Sequence, residues 1–328
     1  MGMARERPMG GRTPRVVVVG PVFVDMAVKC KRFPEPGETV EGFGFSCTAA
    51  GSGANAAAQV AFCGCESYLI GKVGDDVFGQ MACETLTRNK VNTDFIYRVP
   101  AICTGMIVTM VDAQGENSSC LSQGANRVLS RDEVSCALVE QLISSADICL
   151  VTGAVGDDAA AAAIRCAQLN KTTVILKTAL PLHDGCKPDP SAWPKEFFLA
   201  DILVPDIISP AKGESGAGAV SDMKYIGTDL VARGLGRTVI RMGTRGVLLV
   251  DRQGSQHIEG FDYEPVDRTA CDDAFVGALA AAMGTGDSAE RAVKFAYAAE
   301  VLACKRFGSI ESLPKKTDII ELLQNEPD

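Results

Sequence analysis

Two adjacent carboxylates, Asp272 and Asp273, directly precede a long apolar run. Of all the residues in the chain, they are the clearest candidates for carrying out chemistry. Residues 274–283 are almost all apolar and predict a buried helix after the polar turn 266–273. Asp273 is therefore expected in the first helical turn, where free N–H groups and the helix dipole favour an anion. A carboxylate there could accept a proton beside a bound phosphate. The structural alternative is that Asp272 or Asp273 caps the helix, since Asp is a preferred N-cap residue.

A second set of candidate residues lies near the N-terminus. Residues 15–20 contain four consecutive valines and end in glycine, which predicts a buried parallel strand. Asp25 follows at the expected carboxyl end of this strand, where ligands of open α/β sheets bind. Gly51 and Asn55 open an alanine-rich helix, and glycine lets a backbone approach a ligand closely. Two structural alternatives stay open: Asp25 as a turn residue and Asn55 as a helix cap.

Composition excludes several classes of protein. The chain has 328 residues and a net charge of −9, without a basic stripe, so we expect no nucleic-acid binding. No apolar run approaches the length of a membrane span. The 13 cysteines are scattered and lie mostly in apolar runs, so we interpret them as small core residues in a reducing compartment. This interpretation predicts a cytoplasmic protein.

The elements that position these residues alternate between strands and helices. From residue 130 onward the alternation is regular and indicates βαβ units with a mostly parallel sheet. Earlier, strands from about residues 26–48 and 101–123 are expected to form a small separate sheet. A basic, Gly/Pro-rich leader, residues 1–14, is predicted to be disordered, with one domain over 15–328. The turn Gly243–Gly246 taken alone indicates an ordinary hairpin.

Taken in the order of the chain, the motifs resemble those of the ribokinase-like (PfkB) family of carbohydrate and nucleoside kinases, over roughly residues 16–323. The resemblance is carried by the valine strand before Asp25 and by segments 51–55, 71–79, 242–246, 267–279 and 307–314. It implies a three-layer α/β/α domain with a mostly parallel central sheet and a small β-sheet lid over the sugar. It also implies ATP and Mg²⁺ as cofactors, with K⁺ as a further candidate.

The resemblance also implies roles for individual residues. Asp273 falls at the position of the family's general base, which takes the proton from the attacking sugar hydroxyl. Asp25, Gly51 and Asn55 fall where the family binds the sugar. The other implied ligands are Gly243, Thr244, Gly246, Ala270, Cys271 and Asp272 for the nucleotide, Asp206 for Mg²⁺, and Asp267, Gly308 and Ser312 for a monovalent cation.

Two stretches depart from the family pattern. Residues 270–273 read Ala-Cys-Asp-Asp where the family has Gly-Ala-Gly-Asp, whose backbone amides form an anion hole. A charge on Asp272 about 4 Å from the phosphoryl group would cost roughly 4 kcal/mol at an effective dielectric near 20, about a thousandfold in rate. The second departure is at Asp206 and Ser209, where the family usually has Asn and Glu around Mg²⁺.

Two hypotheses follow from these observations. The first is an ATP-dependent kinase of a sugar or related polyol, with weak activity as one consequence of the altered motifs. The second is a catalytically impaired relative that binds a small molecule or a protein partner through the same cleft. A homodimer through the lid is also expected, because the edges of a small exposed sheet require covering.

Overall fold

The computed structural model describes residues 12–153, 155–183, 187–208 and 220–325. Its strands are β1 (Arg15–Val19), β2 (Phe23–Cys30), β3 (Gly42–Ala50), β4 (Glu66–Gly74), β5 (Val91–Asn92), β6 (Ile96–Val99), β7 (Gly105–Val111), β8 (Asn117–Ser122), β9 (Ile148–Thr152), β10 (Thr173–His183), β11 (Lys187–Pro188), β12 (Ile202–Ile208), β13 (Arg237–Arg241), β14 (Val247–Asp251) and β15 (Gly254–Ile258). Its α-helices are α1 (Ser52–Phe62), α2 (Val77–Arg88), α3 (Arg131–Val134), α4 (Ala137–Ser145), α5 (Asp157–Leu169), α6 (Val220–Ala232), α7 (Cys271–Gly284), α8 (Ala289–Cys304) and α9 (Lys316–Gln324).

The central sheet has the order β15-β14-β13-β12-β10-β9-β1-β4-β5 and is parallel from β13 through to β5. The predicted valine strand is β1, which lies between β9 and β4. Val16 and Val18 point into one hydrophobic cluster, and Val17 and Val19 into the other, all fully buried. Helices α1, α2, α7, α8 and α9 cover the first face, and α3 to α6 cover the second. The predicted three-layer α/β/α architecture is therefore confirmed.

The predicted small sheet is present, with the order β3-β2-β7-β8. Its first two strands begin at different residues than expected. Strand β2 starts at the buried Phe23, and β3 starts only at Gly42. Asp25 accordingly lies within β2, opposite Thr48 of β3, rather than in a turn after β1. This placement excludes the interpretation of Asp25 as a turn residue.

Other boundaries also differ from those expected from the sequence. The regular alternation expected from residue 130 onward opens with two short helices, α3 and α4: Ser130 caps the first through a capping box, and a break at Ser135 follows. Contacts with the domain already begin at Arg12, which forms an ion pair with Asp147 at 2.8 Å. Residues 1–11 of the predicted leader lie outside the described residues. Within the described residues, no helix combines the length and apolarity needed to cross a membrane.

Gly277 allows α7 to pack closely on α1. A Cβ atom at this position would lie 2.7 Å from the Ala56 carbonyl oxygen and 2.7 Å from Gln59 Cβ. We expect Gly277→Ala to lower the free energy of unfolding by about 1–3 kcal/mol through overpacking, as measured by denaturant titration. The control is Gly284→Ala in the same helix, where the nearest atom to a new Cβ is 3.4 Å away. Equal stability of the two variants would contradict this account of the helix contact.

Candidate active site

Three neighbouring parallel strands bring charged side chains to the N-terminus of α7. Lys177 lies in β10, Asp206 in β12, and Arg241 ends β13. Because these strands run in the same direction, their carboxyl ends meet at one edge of the sheet, where open α/β sheets bind ligands. Asp272 and Asp273, in the first turn of α7, complete the group. We refer to these five residues together with Glu300 of α8 as the charged cluster.

The carboxylate of Asp273 is buried and is held through both of its oxygens. Asn55 Nδ2 donates to Oδ2 at 2.9 Å, and Lys177 Nζ donates to Oδ1 at 3.0 Å. Ser309 Oγ donates to Asn55 Oδ1 at 2.8 Å, which orients the amide so that its nitrogen faces Asp273. Asp273 therefore does not cap α7, and Asn55 does not cap α1, since it lies in the first turn after the N-cap residue Gly51.

The turn before α7 keeps a left-handed residue despite lacking glycine. Ala270 is the N-cap residue and has φ of 58°, a conformation that costs a non-glycine residue about 1–2 kcal/mol. Its carbonyl accepts the first helical hydrogen bond, from the N–H of Ala274 at 2.8 Å. Ala270 thus adopts the left-handed conformation, and the helix begins at Cys271, two residues before Asp273.

Asp272 is turned towards the two cations of the cluster. Its Oδ1 accepts a hydrogen bond from Arg241, and its Oδ2 lies 4.0 Å from Lys177 Nζ. Burial alone would raise the pKa of the Asp272 carboxyl, but the charges of Arg241 and Lys177 outweigh burial and lower it to about 2. Asp272 is therefore ionised at neutral pH, and Arg241 and Lys177 compensate its charge.

Arg241 connects three carboxylates. Its Nη1 also donates to Glu300 Oε1 at 3.0 Å, and its Nη2 lies 3.4 Å from Asp206 Oδ1. The guanidinium carbon is 5.8 Å from the centre of the Phe275 ring, a cation–π distance. Lys177 Nζ approaches the other oxygen of Asp206 at 3.6 Å. The predicted Mg²⁺ ligand Asp206 is thus already paired with two cations.

Glu300 combines deep burial with an incomplete set of partners. Its Oε2 has no hydrogen-bond partner among the described residues. Burial raises the pKa of the Glu300 carboxyl, the nearby Asp272 raises it further, and Arg241 opposes both, leaving the pKa at about 7. The sequence did not reveal Glu300, Lys177 or Arg241 as site residues. The available signal was a charged residue inside or directly after an otherwise apolar run.

The raised pKa of Glu300 predicts a pH-dependent stability. At pH values between the ordinary carboxyl pKa and about 7, Glu300 holds a proton in the folded state that it has released in the unfolded state. The unfolding free energy therefore falls as the pH rises through this range. We expect wild type to lose on the order of 2–3 kcal/mol between pH 5 and pH 8 relative to Glu300→Gln. Denaturant titrations across this range measure the difference. Glu290→Gln, in the half-exposed first turn of α8, should keep the wild-type slope; identical slopes in all three proteins would contradict the prediction.

Of the residues predicted to bind sugar, Gly51 and Asn55 lie at the start of α1, and Asp25 lies in β2 of the lid sheet. Asp25 Oδ1 is buried and has no hydrogen-bond partner among the described residues. Burial raises the pKa of the Asp25 carboxyl, and the charge of Asp267 raises it further, while a hydrogen bond with Thr109 opposes the change. Gly51 has φ of 107°, and its carbonyl accepts the N–H of Asn55 at 2.8 Å. This unpartnered buried oxygen is an acceptor for a hydrogen bond from a ligand hydroxyl.

A hydrogen bond connects the lid to the turn that supports Asn55. Thr48 lies opposite Asp25 in the lid sheet, and its Oγ1 donates to Glu311 Oε1 at 2.8 Å. Glu311 lies in the 3₁₀ turn Ile310–Ser312, directly after Ser309, the residue that orients Asn55. The lid and the neighbourhood of Asp273 are thus linked through one short loop.

The predicted nucleotide turn forms a tight connection between β13 and β14. Gly243 begins a 3₁₀ turn that ends at Arg245, and both Gly243 and Gly246 have positive φ, at 60° and 89°. Tyr297 donates its hydroxyl to the Gly243 carbonyl at 2.9 Å. The hairpin that the sequence indicated is confirmed, with Thr244 at its exposed tip. Whether it contacts a nucleotide stays a prediction.

The residues predicted to hold a monovalent cation lie in adjoining loops. Asp267 Oδ2 accepts the N–H of Gly308 at 3.0 Å, and Oδ1 accepts the N–H of Thr269 at 2.8 Å. Ser312 is buried and donates its hydroxyl to the Ser309 carbonyl at 2.8 Å. The structure brings Asp267 and Gly308 into direct contact through hydrogen bonds within the protein, and the cation itself stays a prediction.

The interpretation of the cysteines as small core residues is wrong for Cys103 and Cys120, which are exposed, and it did not foresee a disulfide. Cys271, the first residue of α7, and Cys304, the last residue of α8, form a disulfide with Cα atoms 5.5 Å apart. The backbone already joins these helix ends, because Val266 N–H donates to the Cys304 carbonyl at 2.8 Å. The antiparallel packing of two helices brings these cysteines together across 33 residues of sequence, which cysteine spacing did not reveal.

Comparisons with known proteins agree with this architecture. The model of the pfkB family carbohydrate kinases matches residues 13–316. The ribokinase of Bacillus subtilis is 28% identical over 310 residues, covering 94% of this chain and 99% of the relative. The deoxyribokinase of Salmonella typhi is 25% identical over 313 residues, covering 94% and 98%.

A solved structure extends the comparison to three dimensions. The structure of Arabidopsis thaliana ribokinase complexed with ribose and ATP superposes with a TM-score of 0.84 at 25% identity, covering 96% of this chain and all of the other. Ribokinase from Thermotoga maritima gives a TM-score of 0.78 at 26% identity, covering 95% of this chain and all of the other. With a family model that spans most of the sequence, this chain belongs to the pfkB family of carbohydrate kinases.

Proposed function

We propose that this protein transfers the γ-phosphoryl group of ATP to a hydroxyl of a sugar, with ribose and deoxyribose as the first substrates to test. The observation that carries the proposal is the buried Asp273 carboxylate, fixed by Asn55 and Lys177 at the N-terminus of a helix. Relatives named ribokinase and deoxyribokinase, and a neighbour complexed with ribose and ATP, support the choice of substrates.

The geometry supports a mechanism based on proton removal and charge stabilisation. The Asp273 carboxylate would accept the hydroxyl proton as the sugar oxygen forms a bond to the γ-phosphorus, and the bond to ADP breaks. Asn55 holds the carboxylate in one orientation, so little reorganisation accompanies the transfer. The N–H groups at the start of α7 would stabilise the negative charge of the transferring group. Asp25 would accept a hydrogen bond from another sugar hydroxyl.

The donor set is compatible with Mg²⁺ that arrives with ATP. Mg²⁺ typically takes one or two protein carboxylates together with phosphate oxygens and waters. Asp206 offers such a carboxylate at the edge of the charged cluster, and about a third of its side chain is exposed. When bound, Mg²⁺ would neutralise charge on the phosphates. Asp206 would then exchange its contacts with Lys177 and Arg241 for a metal ligand role.

A second candidate function is non-catalytic binding of a small molecule or protein partner through the same cleft. The ion pairs of Asp272 with Arg241 and of Asp273 with Lys177 favour this candidate, because they place protein charges where the family binds phosphate. Calorimetric titration with ATP and a non-hydrolysable analogue, with and without ribose, separates the candidates. Nucleotide binding strengthened by the sugar supports the kinase, whereas sugar binding without nucleotide affinity supports the second candidate.

We also propose a homodimer through the lid. The lid sheet has exposed edge strands, β3 and β8, and it carries exposed apolar side chains: Phe43, Phe45, Val108 and Leu121. Covering such edges and side chains favours association. We expect sedimentation to give the mass of two chains, and Phe45→Ser to shift the population towards one chain. A wild-type mass equal to one chain would contradict the proposal.

A further inference from the structure

The charged cluster contains more charged groups than Asp273 would need in order to act as a proton acceptor. Lys177 and Arg241 are both almost fully buried, with side chains 8% and 13% exposed. Buried cations are costly unless they are paired, and here four carboxylates surround the two of them. Lys177 contacts Asp273, Asp206 and Asp272, and Arg241 contacts Asp272, Asp206 and Glu300. The two cations thus converge on a single place at the N-terminus of α7.

Asp272 is the group that occupies this place. One of its oxygens is hydrogen-bonded to Arg241 and the other lies 4.0 Å from Lys177 Nζ, so the carboxylate bridges both cations. Its side chain is also 45% exposed, which leaves it a route towards solvent. A phosphoryl group presents the same kind of ligand, an anion with several oxygens, and Arg is well suited to bind it.

We propose that Lys177 and Arg241 bind the γ-phosphate of the nucleotide, and that the Asp272 carboxylate occupies their shared anion site until the nucleotide arrives. This inference rests on the proposed function. Lys177 within β10 and Arg241 at the end of β13 would then supply the positive charge that counters Asp272 in the altered turn 270–272. Asp272 would move to solvent as phosphate oxygens replace its contacts. Lys177 would remain next to Asp273, which places the phosphate ligand beside the proton acceptor.

The test compares the affinities for the γ-phosphate analogue AMP-PNP and for ADP, both with Mg²⁺, by calorimetry. The ratio of the two affinities isolates contacts made with the γ-phosphate and does not require turnover. We expect Asp272→Asn to raise this ratio about tenfold, because Arg241 loses its competing carboxylate. Lys177→Gln is expected to lower the ratio about 10- to 100-fold, with ADP affinity unchanged. Asp287→Asn, at the opposite end of α7, is the control and should leave the ratio unaltered.

A double-mutant cycle shows whether Arg241 is the ligand that Asp272 releases. If it is, the gain caused by Asp272→Asn disappears in the Arg241→Gln background. Persistence of the full gain in that background would mean that Asp272 only repels phosphate, and would overturn the inference. If circular dichroism shows that Lys177→Gln does not fold, the double-mutant cycle alone tests the inference. If Lys177→Gln does fold, a ratio of AMP-PNP to ADP affinity equal to that of wild type also overturns the inference.

The outcomes separate this inference from the proposed function. Suppose that wild type turns over ATP and ribose, but that no variant changes the ratio of AMP-PNP to ADP affinity. The kinase function would then stand, and the phosphate role of Lys177 and Arg241 would be overturned. The expected ratios without any wild-type turnover would uphold the anion site and contradict the kinase. A wild type that binds neither nucleotide would overturn both.

Discussion

Asp273→Asn is expected to lower kcat for sugar phosphorylation by about 10²–10⁴-fold, the usual contribution of a positioned general base. The amide has nearly the same shape as the carboxylate but cannot accept a proton at neutral pH. Asn55 and Lys177 donate to opposite oxygens of Asp273, so only one of the two donors keeps an acceptor in the variant. Initial-rate measurements at saturating ATP and sugar give kcat directly.

The effect of Asp273→Asn must be separated from a loss of structure. Asp287→Asn follows the C-terminal end of the same helix and should retain wild-type turnover. Circular dichroism and the KM for ATP are expected to change little in both variants. Turnover of Asp273→Asn equal to that of wild type would exclude Asp273 as the base.

Asp25→Asn is expected to lower kcat/KM for the sugar about 10- to 100-fold, the usual effect of losing a hydrogen bond to a charged acceptor. The buried Oδ1 of Asp25 has no partner among the described residues, so in the proposed complex a sugar hydroxyl satisfies it. The same observation predicts that the variant is at least as stable as wild type, because it no longer buries an unpartnered charged oxygen.

The prediction for Asp25 is specific to the sugar. The KM for ATP should stay close to the wild-type value, and Asp94→Asn, an exposed aspartate before β6, should leave both constants unchanged. A variant that loses ATP and sugar affinity in parallel would indicate a general distortion of the lid. Unaltered kcat/KM for every sugar tested would remove Asp25 from the substrate site.

The architecture could be predicted because its signals are local. The valine strand β1 is buried on both faces, and this requires the long apolar run that the sequence shows. The apolar run after Asp273 likewise predicted a buried helix and placed the carboxylate in its first turn. The lid strands were expected in the right order, and only β2 and β3 have boundaries shifted by several residues, because pairing in the sheet determines where a strand starts and ends.

The electrostatics of the site could not be predicted because they depend on contacts between distant segments. The sequence showed that Asp272 would repel a phosphate, but it did not reveal that Arg241, 31 residues earlier, compensates the charge. Lys177 meets Asp273 across 96 residues because β10 and α7 converge at one edge of the sheet. The pairing of Cys271 with Cys304 depends on helix packing in the same way. Such contacts follow from the assembled fold, not from any local pattern.

In the proposed function, a proton acceptor at Asp273 supports phosphoryl transfer from ATP to a sugar. The most direct test is to incubate the protein with ATP, Mg²⁺ and ribose or deoxyribose, and to detect the sugar phosphate by mass spectrometry. We expect a sugar phosphate and an equal amount of ADP with wild type, and a strongly reduced amount with Asp273→Asn. The claim would be contradicted if wild type bound the sugar and ATP together yet formed no sugar phosphate, or if the product were undiminished in the variant.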